Sequence, residues 1–425
     1  MLSSKITDAC ISILEEELLF ATGCTEPIAV AYAAAKLRDV LGTIPEKVLA
    51  EISGNILKNV KSVVVPNTGG LRGVKAAIAA GIIAGSADKE LQVITDIAPQ
   101  NYPTIAAYCQ ETPIDVVCPD TPRMLDIRLT GWSGADSAIV HIANNHNNII
   151  YIAKNETVLL EKSACDSPED GLTDKSFLTL QTILDFANEV EIKRVAPLLD
   201  RQIQHNIAIA EEGLRNDWGA NIGSVLLQAD PRTIRAEAKA WAAAGSDARM
   251  SGCDMPVVIV SGSGNQGITA SVPVIRYAKH LQLSQEQLYR ALLVSNLVTV
   301  YQKRGIGRLS AYCGAVSAGV GVGAAVAYMH GSEPEVIAQT IINAVAMISG
   351  TICDGAKPSC AAKIAAGVEA GLLGYEMCRQ GQGFRDGDGI VGSDVDITIA
   401  NIGILAQQGM RQTDRVILEI MNQSH

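Results

Sequence analysis

Residues 311–329, AYCGAVSAGVGVGAAVAYM, carry no charge and consist mostly of Ala, Gly, Ser and Val. A helix that is apolar on every side must be surrounded, either by lipid or by other helices. The run reaches the length of a membrane span. Ala, Gly and Ser are only weakly lipophilic, however, so the centre of a large helical domain is the better fit. Small side chains there let neighbouring helices approach closely. The composition agrees, with aromatics at only 4% against 38 glycines.

A chain of 425 residues exceeds one ordinary core, so two domains are expected. The formal net charge of −11 excludes the basic face that nucleic-acid binding normally needs, and no Lys/Arg run reverses it. The first twenty residues, MLSSKITDACISILEEELLF, include three consecutive glutamates and do not read as a secretory signal. Ten cysteines without an export signal point to a reducing, cytoplasmic compartment, with thiols free or metal-bound.

The first forty residues read as two helices broken at Ala21–Pro27, where Gly23 ends one helix and Thr25 caps the next. That break puts Cys24 at a helix start, where the dipole favours a thiolate. From 46 to 160 the period shortens. The runs at 47–53, 91–95, 114–118, 123–132, 137–143 and 148–153 read as strands, with helices at 70–86 and 101–110. Residues 124–160 predict a meander with turns at Asn145–Asn147 and Lys154–Glu156. A polar stretch at Cys165–Gly171 reads as a linker. Beyond it the pattern is helical, over 173–190, 197–214, 231–244, 284–303, 308–329, 333–350, 358–379 and 394–410. Ser284 with Gln287 predicts a capping box, and Thr413-Asp414 can open a last helix. The fold class is therefore α+β. The expected division is residues 1–40 as N-terminal helices carrying Cys24, 41–165 as an α/β domain with short strands, and 172–425 as a predominantly helical domain.

Three cysteines in the helical half carry candidate chemistry: Cys313 in RLSAYCGAVSAG, with Cys353 and Cys360 in TICDGAKPSCAAK. Soft thiolates suit an iron–sulfur cluster or zinc, and three protein ligands leave one metal position open. Thiols among Ala and Gly also suit plain core packing, and spacing alone does not separate the two. A second candidate is the loop Ser261-Gly262-Ser263-Gly264-Asn265, which continues through Gln266 to Gly267. Its glycines admit close approach, and its N–H groups, hydroxyls and amide suit a carboxylate. An ordinary connector has the same composition. The loop also looks like the carboxylate loop of certain pyridoxal-phosphate dehydratases. Lys239, the nearest upstream lysine, lies in an amphipathic helix, and no phosphate cradle follows. Pro66–Gly70 is a further polar turn, and His141 and His146 lack metal-ligand spacing.

Taken together, GCTEP, SGSGNQGITA, RLSAYC and ICDGAKPSCAAK resemble the L-cysteine desulfidase family, related to the α chain of the iron–sulfur L-serine dehydratases. The resemblance runs from Cys24 to Thr413–Arg415. It implies that Cys313, Cys353 and Cys360 hold a [4Fe–4S] cluster with one iron left for substrate, and that Cys24 belongs to the active site. Six residues separate Cys353 from Cys360, fewer than in the serine dehydratases, and the chain ends without a cysteine; both points favour the desulfidase branch.

The implied reaction is β-elimination of L-cysteine to sulfide, pyruvate and ammonia without pyridoxal phosphate. L-serine dehydration by the same mechanism is the alternative. Within it the 261–267 loop holds the substrate carboxylate, and Cys24 serves as base or nucleophile. A cluster-binding thiol sensor and an amino-acid-binding module are the non-enzymatic options. The expected partner is a small amino acid, with neither nucleic acid nor membrane, and a homodimer is compatible with all of this.

Overall fold

The computed structural model describes residues 2–121, 123–162, 172–307 and 309–423. The linker expected at Cys165–Gly171 lies outside them. The chain opens with α1 (Ser4–Glu17), β1 (Phe20–Thr22) and α2 (Thr25–Leu41). Next come β2 (Lys47–Ile52), α3 (Gly54–Val60), α4 (Gly73–Ala84) and α5 (Tyr102–Glu111). The strands β3 (Ile114–Val117), β4 (Asp126–Ser133), β5 (Asp136–Ala143), β6 (Ile149–Lys154) and β7 (Thr157–Glu161) follow.

These strands form one sheet in the order β3-β2-β4-β5-β6-β7, in which only β2 and β3 run parallel. The β4–β7 meander has its turns where Asn and Gly-like conformations are needed, Asn144 and Asn155 both adopting positive φ. Alternation puts Val48, Ala50 and Ile52 of β2, Ile127 and Leu129 of β4, and Val140 and Ile142 of β5 in one core with α2 and α4. Residues 91–95 do not form the strand their apolar run suggested. A short 3₁₀ turn at Ala87–Gln92 leads into turns, and Leu91, Val93 and Ile94 are buried in the core that holds α2 instead of joining the sheet.

The helical part comprises α6 (Leu180–Glu189), α7 (Ala196–Arg215), α8 (Ile222–Ala229), α9 (Ile234–Met250), β8 (Pro256–Val258), α10 (Gly264–His280) and α11 (Gln285–Ile306). It continues with α12 (Gly314–Met329), α13 (Pro334–Ile348), α14 (Cys360–Arg379), α15 (Val395–Ile404) and α16 (Arg411–Gln423). The Ser284 hydroxyl and the Gln287 side chain make the reciprocal capping box at the start of α11. The expected continuous helix over 394–410 closes with a π turn at Leu405–Gly409.

Helix α12 is the centre of this part, buried from Ala315 to Ala327 and packed by α10, α11, α13 and α14. Its contact with α14 is backbone on backbone. A methyl group on Gly319 would lie 2.2 Å from the Gly367 carbonyl, and one on Gly371 would lie 2.1 Å from the Gly319 oxygen. Glycine is therefore required there. Among the described residues no helix is long and apolar enough to cross a membrane.

Two apolar cores divide the chain differently from the expected 1–40 unit. α1 and β1 belong with the helical core, where β1 pairs antiparallel with β8. α2 belongs with the sheet. α2 is buried along most of its length, packing on α4 and on β4 and β5 of the sheet. Cys24 thus falls on the seam between the cores.

Helix α16 crosses that seam and packs on α3. Lys58 and Asp414 form a buried ion pair, and the Lys61 ammonium donates to the Met421 carbonyl. Asp414 therefore acts as a cross-domain partner inside α16, which begins at Arg411, not at Thr413. Removing one partner of a buried pair strands the other charge, so Lys58→Met is expected to cost about 3–5 kcal/mol in urea unfolding. Lys58→Met with Asp414→Leu should recover most of the loss.

Candidate active site

The cluster-ligand candidates come together through local pairing. Tyr312 and Ile352 form an isolated antiparallel bridge, flanked by Cys313 N–H donating to Thr351 O at 3.1 Å and Cys353 N–H donating to Ala311 O at 2.6 Å. Side-chain alternation places Cys313 and Cys353 on the same side of this ribbon. Cys313 is also the N-cap of α12. Cys360 is the first residue of α14, its N–H donating to Lys357 O at 2.9 Å. The short loop between them is held by Asp354, which pairs with both Lys357 and Lys363.

Burial first, then the charges of Cys353 and Cys360, push the Cys313 thiol up to about 12. Burial likewise raises Cys360. Ligation by all three sulfurs would gather negative charge in one place and so would call for positive charge beside them. Lys363 supplies some of it, drawing Cys313 and Cys360 downward. A coordinated metal would supply the rest, since a ligating thiol is deprotonated outright.

Among the described residues no three His, Cys, Asp or Glu side chains converge on a single-ion position.

Cys24 faces this group from the other side of the seam. It is the N-cap of α2 and packs with Val63 and Met250, while Ala356 and Cys360 lie against the same cluster. Its thiol donates to Glu26 Oε2 at 3.0 Å. Glu26 also accepts from Thr25 Oγ1 at 3.1 Å and, through Oε1, from Asn59 Nδ2 at 3.0 Å. The helix start therefore does not yield the favoured thiolate expected from sequence. Burial, followed by the charge of Glu26, raises the thiol well above its usual range, outweighing Arg249. Burial works against the Glu26 charge too, but His146, the Cys24 hydrogen bond and Arg249 hold its carboxyl below the usual range. The free protein thus rests as thiol beside carboxylate.

The glycine-rich loop closes the site. Ser261 and Gly262 turn the chain with φ of +47° and +78°, and the Thr25 hydroxyl donates to the Gly262 carbonyl at 2.9 Å, tying the loop to α2. Ser263 is the N-cap of α10, and its hydroxyl makes no cap hydrogen bond. One cavity is lined by Cys24, Ser263, Asn265, Cys313, Cys353 and Cys360. Ser261, Gly262 and Gly264 shape the loop without forming its wall. Lys239 is paired with Glu369 and does not line the cavity.

Sequence reasoning passed over the further lining residues Asn59, Arg249 and Lys303, and it gave Glu26 and Gln266 no role of their own. Glu26 was visible inside GCTEP. Arg249 lies in the last turn of an Ala-rich helix, where nothing in the pattern distinguishes a buried arginine from a solvated one.

Comparison with known proteins bears on this geometry. A family model described as the serine dehydratase alpha chain matches residues 74–419. The chain belongs to the serine dehydratase alpha-chain family. The family match spans the glycine-rich loop and all three clustered cysteines, while Cys24 and Glu26 precede it. This family member is also 53% identical to a UPF0597 protein of Desulfitobacterium hafniense, over 97% of this chain and 96% of the relative. It is 45% identical to a UPF0597 protein of Treponema denticola, over 97% of both chains. A UPF0597 protein of Bacteroides fragilis is 36% identical, again over 97% of both.

Proposed function

We propose that this chain is an iron–sulfur-dependent lyase that eliminates the β-substituent of a small α-amino acid, with L-cysteine as its substrate. The observation that carries this reading is the single cavity gathering three clustered thiols, the Cys24–Glu26 pair and the loop of α10. L-serine is the second reading, favoured by the family description itself.

Cys313, Cys353 and Cys360 would hold a [4Fe–4S] cluster that supplies, when bound, an open iron as Lewis acid for the leaving group. The chain's own residues do the remainder. Ser263 and Asn265 hold the α-carboxylate at the start of α10, where unpaired N–H groups favour an anion. This fixes Cα near Cys24. The Cys24 thiol passes its proton to Glu26 Oε2, to which it is already hydrogen-bonded. The resulting thiolate, disfavoured in the free protein, removes the Cα proton, and its formation beside Glu26 is part of the barrier to elimination. The Cα–H electron pair becomes the Cα–Cβ double bond as the Cβ–S bond breaks. Sulfide leaves, and the aminoacrylate tautomerises and takes up water to give pyruvate and ammonia.

The deciding experiment is anaerobic purification followed by assay of sulfide, pyruvate and ammonia from L-cysteine and L-serine. Stoichiometric pyruvate with sulfide supports the desulfidase reading. Pyruvate from serine alone supports the dehydratase, and neither product from either amino acid refutes both. Asn265→Ala should raise KM about ten- to hundredfold with the fold intact, since a hydrogen bond to a charged group contributes roughly 1.5–3 kcal/mol. An unchanged KM returns the loop to the status of a connector.

A further inference from the structure

Arg249 is the feature of this cavity that no role above uses. It lies in the last turn of α9, is only 2% exposed, and lies on the wall shared with Cys24 and Ser263. A guanidinium carries five donors and stays charged at any working pH. Here Nη1 donates to Asn265 Oδ1 at 3.1 Å, while Nε is buried without a hydrogen-bond partner. Burying a cation without an anion bonded to it is costly. Glu26 senses the charge of Arg249, but the donors bonded to its carboxylate are Cys24, Thr25 and Asn59.

The loop is built around this side chain. A methyl group on Gly264 would sit 2.3 Å from Arg249 Nε, so only glycine lets the guanidinium lie against the first turn of α10. Arginine charge and helix N-terminus are thereby brought to the same spot. Two residues further on, Gln266 presents the opposite chemistry. Its Oε1 is a buried acceptor with no partner. Its amide packs at Gly314, where an added methyl would meet Cδ at 2.6 Å, so it stands between the loop and the start of α12.

We infer that Arg249 and Gln266 read the two charges of a free α-amino acid. Arg249 takes the α-carboxylate together with the first N–H groups of α10, and Gln266 Oε1 accepts from the α-ammonium. The cavity then admits free zwitterionic α-amino acids and rejects the matching amide and the matching acid without nitrogen. This deepens the proposed function and rests on its reading of the cavity as an amino-acid site.

The test uses anaerobically purified protein and L-alanine, which has no β-leaving group and cannot turn over. Calorimetric binding of L-alanine is compared with that of L-alaninamide and propionate. The wild type should prefer L-alanine to either by more than about tenfold, since each analogue leaves a buried polar group unpaired. Arg249→Met should weaken L-alanine binding about ten- to hundredfold. Gly264→Ala, which keeps the arginine but displaces it, should weaken binding in the same direction and covers the case in which Arg249→Met fails to fold. Gln266→Leu should collapse the preference for L-alanine over propionate to within about twofold.

Wild-type protein that does not bind L-alanine, variants that bind it as tightly as wild type, or a preference that survives Gln266→Leu would each overturn the inference. Wild type that binds L-alanine yet yields no pyruvate from cysteine or serine would instead refute the elimination chemistry alone. Cysteine turnover with an unchanged KM in Arg249→Met would refute the zwitterion reader alone.

Discussion

Cys313→Ala, Cys353→Ala and Cys360→Ala are each expected to reduce bound iron and acid-labile sulfide from about four of each per chain to near zero, as loss of a cubane ligand requires. Metal analysis of anaerobically prepared protein measures this directly. The far-UV circular dichroism of the three variants should match the wild type. That second expectation follows from the packing. Cys313 and Cys360 sit at helix starts, and the helices they begin are joined by glycine backbones along their length, not by sulfur. Stoichiometric zinc with no labile sulfide in the wild type would overturn the cluster assignment.

Cys24→Ser should do the reverse, keeping the iron and losing the chemistry. A hydroxyl in this place still reaches Glu26, but it does not become a thiolate. Removing a general base typically lowers the rate roughly 10²–10⁴-fold. Sulfide release from L-cysteine should fall by that order, with iron content unchanged. Glu26→Gln should lose activity in the same direction, because its amide cannot take up the thiol proton. Iron lost along with activity in Cys24→Ser would make Cys24 a fourth ligand, a role its neighbour Cys360 keeps within reach. Full activity would make it a bystander.

Much of this architecture was legible in the residues. The uncharged small-residue run at 311–329 announced a helix enclosed by other helices, and α12 is that helix. Period-two alternation gave the meander from β4 to β7, and Ser284 with Gln287 gave the start of α11. What escaped was decided by tertiary partners. The run at 91–95 has the composition of a strand, but its side chains fill the core around α2. The two N-terminal helices are adjacent in sequence yet belong to different cores, because each follows the face that can bury it. At Cys24 the local argument from the helix dipole lost to burial and to a carboxylate two residues away. Arg249 was invisible because a buried charge is defined by what surrounds it, and its surroundings come from α10.

The glycine contact between α12 and α14 has a consequence for repair. An iron–sulfur site with an open iron is the part of such a protein that oxygen damages first. In many folds, losing the metal releases the segments that bound it. Here Cys313 and Cys360 begin two helices whose backbones touch at Gly319, Gly367 and Gly371. Their spacing is set by main-chain contact and does not wait for the metal. A chain that has lost the proposed cluster should therefore accept fresh iron and sulfide without refolding, so that damage and rebuilding would be a cycle of the cofactor alone, with the polypeptide serving as its durable mould.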